Sequence, residues 1–167
     1  MKKVRLAVYD FDGTLVPFET QSKILFYAVR KNPLKILLLP YVIVVAILYY
    51  AKIVNELYMK SLVLKFLNSV VIESFWKENK KNVFPWVRQM FKQNKKDGKK
   101  VMVISASPEN ILRDIVFELG ADYFIGTPVS KNGKKIVGKN CKGEQKVVYL
   151  NAWAKKNKVE VEVVSMF

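Results

Sequence analysis

An α/β fold with a parallel sheet and a helical segment inserted after the first strand is what this sequence predicts. Three observations predict it. Short apolar runs of strand length recur along the chain, helical patterns fill the gaps between them, and about 85 residues of helical period with almost no glycine separate the first two strands. Val4–Tyr9 reads as a buried strand. Phe84–Lys96 reads as a helix, with Val83, Val87, Met90 and Phe91 at helical spacing. An Asp97-Gly98 turn then leads into a second strand, Val101–Ile104. Pro108–Leu119 reads as a helix with Ser107 as N-cap, Pro108 in the first turn and Gly120 as its stop. Tyr123–Ile125 is a third strand, and Thr127–Lys139 a hairpin around Asn132-Gly133. Gly143–Lys156 is the next helix and Val159–Val164 the last strand. The expected division is therefore a core of residues 1–16 and 97–167 and a helical insert of residues 17–96.

Composition narrows the chemistry. The 167 residues include no histidine and one cysteine, Cys141, so histidine triads, histidine–zinc sites and intrachain disulfides are excluded. The single cysteine fits a reducing, cytoplasmic compartment. The apolar run after Arg5 is too short for a signal peptide and ends at Asp10. Net charge is +15, unevenly spread: residues 21–100 carry 16 Lys/Arg against 4 Asp/Glu, a balance of +12. A polyanionic partner for that segment follows, or else a solvated basic face. No nucleic-acid recognition motif accompanies the charge.

The residues Val8-Tyr9-Asp10-Phe11-Asp12-Gly13-Thr14 carry the chemistry. Alternation along an extended chain sends Asp10 and Asp12 to one side, at the carboxyl end of a strand, where open α/β sheets bind ligands. Two carboxylates so close repel unless a cation sits between them, and Mg²⁺ with a phosphate is the natural guest. The same residues also suit a solvated turn. After the second strand, Ser105 and the Ala106 amide offer a hydroxyl and a backbone donor to an anion; Ser107 is expected to cap the helix. Lys146 stands in the first turn of a helix, where a cation opposes the helix dipole, which points to an anion nearby. Lys142 competes for that role. Glu19 stands nine residues after Asp10 and also suits a helix N-terminus.

These motifs resemble the haloacid-dehalogenase-like (HAD) phosphatases, whose first motif is Asp-x-Asp-x-Thr. The resemblance implies a Rossmann-like core and a helical cap over residues 17–96. It implies that Asp10 is the nucleophile that becomes an aspartyl-phosphate, and that Asp12 protonates the leaving oxygen and then activates water. Dehalogenases of the superfamily lack the second acid, so phosphatase is favoured. Ser105 matches the second motif and Lys146 the third, and Gly13, Thr14, Ser105 and Ala106 would bind phosphate. The metal ion would be Mg²⁺ on Asp10 and Asp12. Phe18-Glu19-Thr20 resembles the phosphoserine phosphatase branch, in which an acid at Glu19 contacts substrate. The fourth motif, an acidic pair supplying the last metal ligand, is expected just after Val163–Phe167, where the sequence ends. A chain without it is expected to bind Mg²⁺ weakly and to be a poor catalyst or a non-catalytic remnant.

One stretch of the insert fits a small polar substrate badly. Ile36–Ala51 has no charged residue, is flanked by Arg30, Lys31, Lys35 and Lys52, and contains Tyr41, Tyr49 and Tyr50. At 16 residues it falls short of the ~20 that a simple membrane span needs. Cationic flanks and tyrosines suit a bilayer interface, as one interfacial helix or a helix pair turned at Pro40. Burial in the core of the insert, or at a dimer interface, is the other expectation. With this stretch the chain is similar to phosphatidylglycerophosphatase C-like proteins. That resemblance implies a phosphatidylglycerophosphate-like lipid substrate at the inner face of the cytoplasmic membrane. A soluble phosphatase of phosphoserine-like metabolites is the alternative.

Overall fold

The computed structural model describes residues 2–167. Strands β1 (Lys2–Tyr9), β2 (Lys100–Pro108), β3 (Tyr123–Thr127) and β4 (Val159–Met166) form one parallel sheet in the order β3-β2-β1-β4. Val8 lies opposite Met102 on one side and Met166 on the other. From β1 the chain steps outward to β2 and β3, then returns to place β4 on the far side of β1. The order of connection thus reverses beside β1, and a crevice opens at the carboxyl ends of the strands.

The two-residue period of β1 divides the interior into two layers. Ala7 and Tyr9 face the larger layer, with Val101 and Val103 of β2. Against them pack α1 (Thr20–Lys31), α3 (Glu56–Lys65), α4 (Ser69–Asn79), α5 (Trp86–Lys96) and α6 (Glu109–Glu118). Val4, Leu6 and Val8 face the other side with Met102, Ile104 and Cys141, under Tyr149, Leu150 and Trp153 of α7 (Glu144–Lys156). This second layer is thin, since α7 has no fully buried residue and most of β4 is exposed.

The helices form where apolar residues recur at helical spacing: Ile24, Tyr27 and Ala28 in α1, Val87 and Phe91 in α5, Ile111, Leu112, Ile115 and Val116 in α6. Asn55 and Asn68 open α3 and α4, each side chain accepting from a backbone N–H at 2.9 Å, that of Tyr58 and Val71 respectively. Two expectations change. The residues around Asn132-Gly133 make only an isolated antiparallel bridge, Val129 to Ile136, closed by the Ser130 N–H on the Lys135 carbonyl at 2.8 Å. Helix α6 begins at Glu109 with Pro108 before it, and Ser107 does not cap it.

The apolar stretch forms a 3-10 turn, Pro33–Leu38, followed by α2 (Leu39–Tyr50). Pro40 sits in the first turn of α2, where its missing N–H costs nothing, so the chain does not turn there. Burial in the core of the insert is overturned. Only Val42 and Val45 of α2 are buried, because among the described residues α3 packs on one narrow stripe of the helix.

Asp122 ties β3 to β2. Its carboxylate accepts from the Val101 N–H at 2.9 Å and from Lys100 Nζ at 3.0 Å. Burial pushes this carboxyl upward, but the Val101 N–H and Lys100 outweigh it and hold it below the ordinary carboxylate value. A depressed carboxylate stabilises the fold above its unfolded value, and that contribution is lost as pH falls through the folded one. Asp122→Ala is therefore expected to cost about 2 kcal/mol at neutral pH. The difference from the parent should shrink below about pH 4. Urea unfolding of both proteins across that range measures it.

Candidate active site

The chain leaves β1 into the crevice. Asp10 follows the last strand residue, and Gly13, with φ +73°, turns the backbone back toward α1. The Phe11 N–H donates to Asp10 Oδ1 at 2.7 Å, which fixes that carboxylate's orientation. Lys146 reaches across from the first turn of α7, and its Nζ lies 2.6 Å from Asp10 Oδ2. The anion that the position of Lys146 called for is thus the Asp10 carboxylate. Asp12 is held from two sides. Oδ1 accepts from the N–H of Thr20 at 2.9 Å and from its hydroxyl, and Oδ2 accepts from the Ser107 hydroxyl at 2.5 Å.

The second strand contributes through an interruption. β2 pairs regularly with β3 as far as Ile104, and pairing resumes only at Pro108. Ser105, Ala106 and Ser107 therefore leave the ladder beside the two aspartates. Ser105 is buried beneath, its hydroxyl accepting from the Ser107 N–H at 3.1 Å. The Ala106 carbonyl is occupied by Thr127 Oγ1 at 2.7 Å and by Lys60 Nζ at 2.8 Å.

Asp10, Asp12, Glu19, Ala106 and Lys146 line one cleft of about 280 Å³, with Lys142 at its rim. Ser105 lies under its floor. Gly13 and Thr14 do not line it, because the turn after Asp12 carries them outward and the Thr14 N–H closes that turn on the Phe11 carbonyl at 3.2 Å. Glu19 is exposed at the mouth, and burial with the nearby Asp12 charge raises its carboxyl above the usual value against the pull of Lys60. The lone thiol takes no part. Burial pushes Cys141 up to about 11, so it stays protonated and poorly nucleophilic at neutral pH.

Ser107 and Lys60 line the cleft and Thr20 lies behind it, holding Asp12; sequence reasoning gave none of them a role in the site. Ser107 stands two residues after Ser105, and strand alternation was the signal that could have found it. Thr20 lies at the start of α1, and its hydroxyl serves Asp12 instead of capping the helix. Lys60 had no local signal. It is a buried lysine of α3 whose Nζ meets the Ala106 carbonyl, Asn140 Oδ1 at 2.8 Å and Glu56 at 3.3 Å. Burial lowers its ammonium below the ordinary lysine value, and Glu56 partly restores it. Asp10 and Asp12 present hard oxygen donors at one mouth. That donor set fits Mg²⁺, which takes one or two carboxylates and keeps several waters.

A search of curated proteins found no match by sequence. Among solved structures, the chain is similar to a protein of unknown function from Bordetella pertussis Tohama I, at TM-score 0.79 and 17% identity, covering 95% of this chain and 77% of that one. It is similar to a substrate-bound phosphoserine phosphatase at TM-score 0.59 and 24% identity, over 96% and 75% of the two chains. It is also similar to a probable phosphoserine phosphatase from Vibrio cholerae, at TM-score 0.64 and 16% identity, over 95% and 48%. At these identities the likenesses speak for the fold, a Rossmann-like sheet with helices. The family model for haloacid dehalogenase-like hydrolases matches residues 7–167, from the first strand through both aspartates to the final strand. With nearly the whole chain inside that match, the protein belongs to the haloacid dehalogenase-like hydrolases.

Proposed function

We propose that the protein hydrolyses phosphomonoesters through an aspartyl-phosphate on Asp10. The observation that carries this reading is the meeting, in one cleft, of Asp10 from β1, Lys146 from α7 and Asp12 held by Ser107 from β2. Asp10 Oδ attacks phosphorus and the P–O bond to the leaving group breaks. Asp12 gives the departing oxygen its proton. A water then attacks the same phosphorus, Asp12 takes its proton, and phosphate leaves with Asp10 restored. Lys146 offsets negative charge on Asp10 and the phosphoryl group. The Ala106 N–H, released from the ladder at the cleft wall, binds a phosphoryl oxygen, and Ser105 beneath it fixes that turn by accepting from the Ser107 N–H. Mg²⁺, held by Asp10 and the Asp12 backbone carbonyl, would supply positive charge against those oxygens when bound. Residues 17–96 act as the cap that excludes water from the cleft.

The substrate we assign is a lipid phosphate of the phosphatidylglycerophosphate type. A second pocket, of about 210 Å³, shares Glu19, Gln21, Glu56 and Lys60 with the cleft and continues between Leu25, Met59, Val63 and Tyr49. A polar mouth opening onto an apolar groove that ends at α2 suits a phosphate carried on an apolar body. Glu19 favours a second reading, since an acid at the mouth would pair with the amino group of phosphoserine. Phosphate release from a lipid phosphate in mixed micelles, from phosphoserine and from p-nitrophenyl phosphate separates them. The lipid phosphate is expected to lead phosphoserine by about tenfold or more in kcat/KM. Removal of Mg²⁺ by chelation is expected to stop release from all three. Preference for phosphoserine would overturn the lipid assignment, and release that survives chelation would overturn the metal assignment.

A further inference from the structure

The outer surface of α2 is not what a soluble helix presents to water. Soluble helices bury an apolar stripe and expose charge, whereas this one is apolar all round. Over Pro33–Tyr50 mean hydropathy is 2.0, yet only 11% of the stretch is buried. Leu37 is 79% exposed, Ile47 61% and Tyr50 83%. Leu34, Ile36, Ile43 and Val44 extend the same surface. A contiguous apolar surface of this kind marks an interaction site.

Its surroundings select the occupant. The segment 21–100 carries a +12 balance. Three of its four acids, Glu56, Glu78 and Asp97, already pair with lysines or arginines within the segment. What remains along the segment is an excess of cations, with Lys35 and Lys52 flanking the apolar stretch in sequence and Tyr41, Tyr49 and Tyr50 toward its ends. We infer that Pro33–Tyr50 lies in the headgroup and acyl boundary of an anionic bilayer, with α2 parallel to the surface.

The helix lies on the membrane and does not span it, because its N-terminal half is tied to the body that carries the cleft. Before it, Lys35 Nζ meets the Phe66 carbonyl at the end of α3 at 2.5 Å. Along it, Tyr41 and Tyr58 hydroxyls meet at 2.7 Å, and Val42 and Val45 pack inward. A span would carry one end to the opposite face and break these contacts. Lying flat keeps them and buries the outward residues. The groove between Leu25, Met59 and Val63 also ends at Tyr49 of this helix, so the bilayer surface would stand at the edge of the cleft. The docking itself does not depend on catalysis.

Co-sedimentation of the intact chain with phosphatidylglycerol-containing vesicles tests it. Binding is expected at low salt, and part of it should persist at about 0.5 M salt, where surface charge is screened within a few ångströms. Val44→Asp with Ile47→Asp places charge on the outward face, at residues 52% and 61% exposed, so the fold should hold its Tm. The double variant is expected to lose the salt-resistant part by about tenfold or more. Ile47→Trp should show a blue-shifted emission on vesicles and none without them. No binding by the folded chain at low salt overturns the inference. So does binding that salt abolishes and the double variant leaves unchanged, which would be adsorption by charge alone. A wild-type dimer that the double variant makes monomeric, with no vesicle binding, would give the surface to a second copy and overturn it too.

Discussion

Asp10→Asn is expected to lower phosphomonoester turnover by about four powers of ten or more, with the fold intact. The amide has the shape of the carboxylate but cannot form an acyl phosphate. No other group stands ready to replace it. The chain has no histidine, and the Cys141 thiol is buried and protonated. Both oxygens of Asp12 are already engaged by Thr20 and Ser107, which hold that carboxylate in place for proton transfer and not for attack. The variant also removes the partner of Lys146, so Tm must be measured beside kcat. Phosphate release in single and multiple turnover, with Asp10→Asn and its parent at equal Mg²⁺, checks the assignment. Near-normal release in a folded Asp10→Asn protein would sink it.

Trp76→Ala should be among the most destabilising single changes, at about 3–5 kcal/mol. That is a large part of the ~5–15 kcal/mol that usually holds a domain together. Trp76 is 5% exposed in α4. Its Nε1 donates to the Ile111 carbonyl of α6 at 2.7 Å, and its ring meets Phe75 at 4.9 Å. It also meets Phe11 edge-on at 5.6 Å. Phe11 lies between the two aspartates, fully buried, so the tryptophan both joins the helical segment to the sheet layer and supports the wall behind the site. Trp76→Phe keeps most of the volume and loses only the bond to the Ile111 carbonyl, which keeps its helical partner, and should cost about 1 kcal/mol. Urea unfolding of both variants measures this. An Ala variant as stable as its parent would show that α4 does not unfold with the sheet.

Local pattern made much of this molecule legible. Apolar runs bounded by turn residues placed all four strands, and helical spacing placed α5, α6 and α7 to within two residues, because period and termini are properties of neighbours along the chain. Asp10 and Asp12 were legible for the same reason, being two residues apart at the end of a strand. The approach of Lys146 to an anion was foreshadowed by its position against a helix dipole. Three features were not legible. Ser107 looked like a cap because Ser-Pro before a helix is good capping chemistry. The interruption of β2 against β3 turns its hydroxyl to Asp12 instead. Lys60 looked like one more surface lysine until α3 packed it against residues 106 and 140. The exposure of Ile36–Ala51 could not be read from composition, since a buried and an exposed apolar helix have the same sequence.

The sequence by itself determined the alternation of strands and helices, the pair of carboxylates, the absence of histidine chemistry and the positive balance of the segment that contains the apolar helix. The tertiary structure decided which groups meet. Lys146 and Asp10 are 136 residues apart in the chain and 2.6 Å apart in space. Ser107 and Asp12 are separated by 95 residues and by 2.5 Å. Hydrophobic burial and backbone geometry act between neighbours and can be read as pattern. Contacts between distant side chains depend on strand order, register and helix packing, and these exist only once the sheet has assembled β1 between β2 and β4.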